Sequence, residues 1–65
     1  MNRMRDRFEQ LKQKILNSGI EAIDDFLGFE VDINWEKDTM ESAMDEVYQQ
    51  MPAEELEAYF VKYGI

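Results

Sequence analysis

Carboxylates are the only abundant side chains in this sequence that could support acid–base or metal chemistry. The chain has 15 Asp and Glu but no His and no Cys, so the common nucleophile–base pairs and zinc sites are excluded. Neighbouring carboxylates occur three times, as Asp24-Asp25, Asp45-Glu46 and Glu54-Glu55. Adjacent side chains on a helix point about 100° apart, so none of these pairs is placed to share a proton. We therefore predict no catalytic residue and no cofactor.

Oxygen-bearing side chains also alternate in the middle of the chain, as they do at the start of a calcium-binding loop. These residues are Asp32, Asn34, Glu36 and Asp38. A calcium loop requires Gly at its sixth position and a bidentate Glu at its twelfth. This chain has Lys37 and Ala43 there. We predict no metal site and interpret these side chains as a solvated surface.

The charge of the chain is divided between its two parts. Residues 1–18 carry five cations and two acids, 5 − 2 = +3, and residues 19–65 carry two cations and thirteen acids, 2 − 13 = −11. So acidic a body is repelled by nucleic-acid phosphates and by anionic lipid, and it is attracted to basic surfaces. The sequence therefore predicts a protein partner rather than direct contact with nucleic acid or membrane.

The same features bear on location. No apolar run approaches the roughly 20 residues of a membrane span. Residues 1–18 also lack the apolar core of a secretory signal. Together with the absence of Cys, this favours an intracellular, cytoplasmic protein.

Four segments have the apolar spacing of amphipathic helices. The first covers residues 2–17, the second follows a capping box at Ser18 and ends at Leu27, the third follows a cap at Asp38 and ends near Gln50, and the fourth runs from Pro52 to Gly64. Gly28 and Gly64 are expected to end helices in the left-handed conformation. These signals are generic, so they indicate no family.

The first helix combines an apolar seam with basic flanks. The seam is Met1, Met4, Phe8, Leu11 and Ile15, and the flanks are Arg5, Arg7, Lys12 and Lys14. Two copies side by side would repel each other through these flanks. We therefore predict that the first helix docks on the acidic remainder of its own chain, with nucleic-acid contact by its Arg-rich first turn as the alternative.

Residues 29–36 alternate apolar and polar side chains, which is typical of a strand. The apolar set is Phe29, Val31, Ile33 and Trp35. The sequence offers no second strand to pair with it, and three alternatives follow. The segment is extended and unpaired, it pairs with its own copy in a homodimer, or it joins a sheet edge of another protein.

Two sets of residues are candidates for partner binding. The acidic set is Asp24, Asp25, Glu30, Asp32 and Glu36, and the apolar anchor candidates are Trp35, Met40 and Met44. Spaced carboxylates can occupy a basic groove built for phosphates, although an acidic surface can also serve solubility alone. Met and Trp suit adaptable or anchoring contacts, although both also pack in cores.

The sequence thus predicts a small, mainly α protein, with residues 1–65 forming one acidic domain of about four short helices and a central extended or β segment at 29–36. Its predicted role is a non-enzymatic protein-binding module. By analogy of size and charge with small phage inhibitors, it would act as an inhibitor or adaptor, or as a nucleic-acid mimic, on a larger protein that handles nucleic acid. One alternative is a structural subunit that self-associates through residues 29–36 and the Met-rich third helix. Another is a small enzyme with carboxylates assembled from different helices.

Overall fold

The computed structural model describes residues 3–65, and helices account for most of them. The helices are α1 (Arg3–Ser18), α2 (Ile20–Leu27), α3 (Lys37–Gln50) and α4 (Ala53–Tyr63). The prediction of a mainly α protein with four short helices is confirmed. Met1, the first residue of the predicted seam, lies outside the described residues.

Helix α1 is the central element, because it packs against α2, α3 and α4. Phe8, Leu11 and Ile15 on its predicted seam are completely buried. The Phe8 ring stacks on Tyr48 of α3 with 4.2 Å between centroids. The spacing of three and four residues along the seam therefore produces the stripe on which the other helices assemble.

The remaining core side chains come from the other three helices and from the loop that follows α2. They are Ile23, Phe26, Leu27, Val31, Met44, Leu56 and Phe60. Burying an aliphatic or aromatic side chain of this size contributes roughly 1.5–3 kcal/mol. The chain has no Cys, so this core holds the fold together without a disulfide.

The ends of the helices agree with the sequence at the glycines and differ at the caps. Gly28 and Gly64 adopt left-handed φ values of 83° and 71°, as predicted. The capping box at Ser18 is wrong, because Ser18 is the last residue of α1 and its hydroxyl donates to the Lys14 carbonyl at 2.8 Å. A Ser hydroxyl inside a helix can donate to the carbonyl four residues back instead of capping the next helix.

The starts of α3 and α4 shift by one or two residues from their predicted places. Helix α3 begins at Lys37 with Glu36 at the N-cap, so Asp38 lies in the first turn instead of capping it. Helix α4 begins at Ala53, with Pro52 at the N-cap. In both first turns the acidic side chains still lie at the positive end of the helix dipole.

The predicted extended or β segment at 29–36 is wrong, since residues 3–65 contain no strand. The chain instead turns between Asp32 and Trp35. The Trp35 amide donates to the Asp32 carbonyl at 2.9 Å, and the Asn34 amide donates to Asp32 Oδ1 at 2.8 Å. Asp at the first position is a strong signal for a turn of this kind, because its side chain replaces a backbone acceptor.

The turn also separates the four apolar side chains that a strand would have aligned. Val31 is 8% exposed, whereas Phe29 is 50% and Ile33 is 80% exposed. The rings of Phe29 and Trp35 meet edge to face across the base of the loop, with centroids 6.1 Å apart. The turn bends the backbone between Asp32 and Trp35, and the amides of Val31, Asn34 and Trp35 are bonded within the chain, so this segment presents no continuous edge for strand pairing.

Candidate functional site

The basic flank of α1 is used within the molecule. Lys12 has only 7% of its side chain exposed, and its Nζ lies 3.2 Å from Asp45 Oδ1 on α3 and 3.2 Å from Glu9 Oε2. Arg5 lies 3.5 Å from the same Asp45 oxygen. Asp45 therefore joins α3 to two cations of α1, one of them buried.

The other two flank residues bind α4. The Arg7 guanidinium lies 3.0 Å from Glu57 and 4.1 Å from the centre of the Phe60 ring. Lys14 Nζ donates to the Tyr63 carbonyl at 2.9 Å, near the end of the helix. All four predicted flank residues thus contact the rest of the chain, and the docking of α1 on its own acidic body is confirmed.

Two of the five predicted acidic site residues lie on α2 and have structural partners. Asp24 Oδ1 accepts the amide of Val31 at 2.9 Å, which ties the loop to the helix. Asp25 Oδ2 accepts the Tyr59 hydroxyl at 3.2 Å and lies 3.6 Å from Lys62 Nζ. Burial, and then the Asp25 carboxylate, raises the pKa of Tyr59 to about 12. This α2–α4 contact depends on a neutral phenol as its donor.

The other three predicted acids lie in the loop and divide into two kinds. Asp32 holds the turn through its side chain. Glu30 and Glu36 are exposed and form no ion pair within residues 3–65. Glu21 and Asp38, which flank this stretch, are exposed and unpaired in the same sense. The unpaired carboxylates of α2, the loop and the start of α3 are therefore those of Glu21, Glu30, Glu36 and Asp38.

An open depression of about 410 Å³ lies between α2 and the loop. It is lined by Glu21, Asp24, Asp25, Gly28, Phe29 and Glu30. The fold thus brings three of the predicted acidic residues together beside an exposed aromatic ring. Asp32 and Glu36 do not line this depression.

The apolar anchor candidates also divide. Met44 is completely buried in the core, so it has no surface to offer a partner and cannot serve as an anchor in this structure. Trp35 and Met40 are partly exposed at the edge of the core. The sequence reasoning missed Phe29 and Ile33 as exposed residues, because their alternation assigned both to the apolar face of a strand. The signal that could have found them is Asp32 with Asn34 two residues later, a turn pair that places Ile33 between them.

Two further observations concern the part of the chain that the structure describes, and a third concerns known proteins. No group of three or more metal-ligating side chains converges within residues 3–65. No helix among these residues has the length and apolar character needed to cross a membrane. Comparison with protein-family models, with curated proteins and with solved structures finds no match to this chain.

Proposed function

We propose that this protein is a small non-enzymatic binding module, an acidic inhibitor or adaptor that docks on a basic surface of a larger protein. The observation that supports this is the division of charge. The basic flank of α1 is paired with Asp45, Glu57 and the end of α4. The carboxylates of Glu21, Glu30, Glu36 and Asp38 have no such partner among residues 3–65 and face solvent.

The unpaired acids lie close together in the chain. Residues 19–40 contain seven acids and one cation, 1 − 7 = −6, and they form α2, the loop and the start of α3. A surface of one sign attracts an oppositely charged partner over about one Debye length, roughly 8 Å at physiological salt. Such attraction mainly raises the association rate and selects the sign of the partner.

A partner that handles nucleic acid fits this surface best. Its groove carries Lys and Arg placed for phosphates, and carboxylates on a rigid helix and turn can take the places of those phosphates. The protein would then block the groove or recruit the enzyme of which the groove is part. This specifies the predicted nucleic-acid mimic, in which the protein binds a nucleic-acid-binding protein and not the nucleic acid itself.

Cross-linked capture from the source cell tests this proposal with two matched double variants. Glu30→Gln with Glu36→Gln removes two charges from the acidic surface without touching Asp24, Asp25 or Asp32, whose carboxylates accept structural hydrogen bonds. Glu46→Gln with Glu54→Gln removes the same charge from exposed positions on α3 and α4.

The Glu30→Gln, Glu36→Gln variant should no longer capture the partner, whereas the Glu46→Gln, Glu54→Gln variant should still capture it. Added nucleic acid and added salt should both release the captured partner from the wild type. Capture that is equal for both variants and unaffected by salt would contradict the proposal.

The self-associating subunit is the second candidate, and α3 favours it. Only Met44 is fully buried on this helix, while Met40 and Val47 are partly exposed along the same stripe, as is Met51 at the C-cap. Sedimentation at several concentrations separates the two candidates. A monomer at all concentrations supports the adaptor, whereas a concentration-dependent dimer that Met40→Gln weakens supports the subunit.

A further inference from the structure

The turn between Asp32 and Trp35 presents an aliphatic side chain to solvent on a rigid support. Ile33 is 80% exposed. Single exposed apolar residues are common on protein surfaces, so exposure alone indicates nothing. What distinguishes Ile33 is the ordered loop that holds it and the acidic and aromatic side chains around it.

Four contacts fix the loop on both sides of Ile33. Asp32 accepts the Asn34 and Trp35 amides, at 2.8 and 2.9 Å. The Val31 amide is bonded to Asp24, and the Phe29 ring meets the Trp35 ring. A loop that is already ordered loses little conformational entropy on binding, so its contacts yield more net affinity.

The surroundings of Ile33 determine the chemistry of its partner. Residues 29–38 contain four acids and one cation, 1 − 4 = −3, together with the half-exposed Phe29 ring. A second copy would bring the same charges face to face, and an anionic lipid surface would be repelled. A segment with apolar side chains interleaved with Lys or Arg satisfies both the apolar and the acidic groups.

We infer that the loop around Ile33 is a preorganised docking point for a basic amphipathic segment of a partner protein. In this arrangement Ile33 and Phe29 contact the apolar side chains of the segment. Its cations meet Glu30 and Glu36 and can reach the depression beside Phe29. This inference rests on the proposed function and specifies the form of the partner surface.

Titration with synthetic peptides tests the inference on the intact protein. The probes are a helical Leu/Lys peptide, a Leu/Glu peptide with the same apolar pattern, and a Ser/Lys peptide with the same charge. Binding is followed by the fluorescence of the only Trp, Trp35, and by the methyl NMR signals of Ile33. The variants are Ile33→Ala and Val61→Ala, since Val61 is an equally exposed aliphatic side chain on α4, at 78%.

The Leu/Lys peptide should bind with a saturable shift at Ile33, and Ile33→Ala should weaken it by about tenfold or more, as for an interface hot spot. Val61→Ala should leave the affinity unchanged, and both control peptides should bind more weakly than the Leu/Lys peptide. Equal binding of the Leu/Lys and Ser/Lys peptides, unaffected by Ile33→Ala, would overturn this inference while leaving the charge-driven proposal standing.

Three other results would also overturn it. Failure of both basic peptides to bind would overturn the docking point, while the capture experiment would still decide the proposed function. Equal binding of the Leu/Glu peptide would show that charge plays no part at this loop. Self-association that Ile33→Ala abolishes, measured by sedimentation, would make a second copy the occupant.

Discussion

Asp45 should contribute far more to stability than any other acid that contacts α1. It lies 3.2 Å from the Nζ of Lys12, which is only 7% exposed, and 3.5 Å from Arg5. A hydrogen bond to a charged group contributes about 1.5–3 kcal/mol. Lys12 keeps Glu9 as a partner, and Asp45 is itself 31% exposed, so we expect Asp45→Asn to lower the free energy of unfolding by about 2 kcal/mol.

Glu57→Gln is the matched control. It removes the same charge from the Arg7–Glu57 pair, whose side chains are 37% and 49% exposed. Such exposed pairs contribute about 0.2–1 kcal/mol. In a domain of this size 1 kcal/mol shifts the melting temperature by about 4–8 °C. Asp45→Asn should therefore lower it by about 8–16 °C and Glu57→Gln by less than about 8 °C.

Urea unfolding followed by circular dichroism measures both variants, at low and at high salt. The loss from Asp45→Asn should persist at high salt, because buried pairs are poorly screened, whereas the loss from Glu57→Gln should nearly vanish. Equal losses for the two variants, or a loss from Asp45→Asn that salt removes, would refute the assignment of a buried cation to the centre of the fold.

Three further changes have definite expected outcomes. Phe8→Ala should cost about 3–5 kcal/mol, which is comparable to the whole stability of so small a domain, because Phe8 is completely buried; circular dichroism at 25 °C should show a largely unfolded chain. Gly28→Ala should cost about 1 kcal/mol through its left-handed backbone alone, since a Cβ there meets nothing within 4 Å; urea unfolding measures this loss. The raised pKa of Tyr59, about 12, means that the folded protein holds this proton longer than the unfolded chain, so stability should fall as pH rises from 10 through 12; Tyr59→Phe should reduce that fall, and phenolate absorbance should locate the pKa.

The helices could be predicted because their signals are local. The seam of α1 repeats every three or four residues. Gly28 and Gly64 each directly follow the last residue of an apolar stripe, where a left-handed helix end is common. The docking of the basic flank followed from the separation of charge along the chain. Which acids the basic flank contacts could not be predicted, because Asp45 and Glu57 are no different in sequence from their unpaired neighbours.

The loop could not be predicted from alternation alone. Phe29, Val31 and Ile33 have the period of a strand, but a strand is stable only with a partner for its backbone, and the chain supplies none. Asp32 offers its own side chain and carbonyl as acceptors, so a turn satisfies the backbone locally. Of the three apolar side chains only Val31 then reaches the core, and the other two become surface.

The association rate with the captured partner tests the central claim most directly. The claim is that the unpaired carboxylates of α2, the loop and the start of α3 steer the protein to a basic surface. Stopped-flow measurement across a salt series should show a rate that falls steeply with salt for the wild type. The Glu30→Gln, Glu36→Gln variant should associate several-fold more slowly at low salt, and the Glu46→Gln, Glu54→Gln variant should follow the wild type. Equal rates for both variants, with no dependence on salt, would contradict the claim.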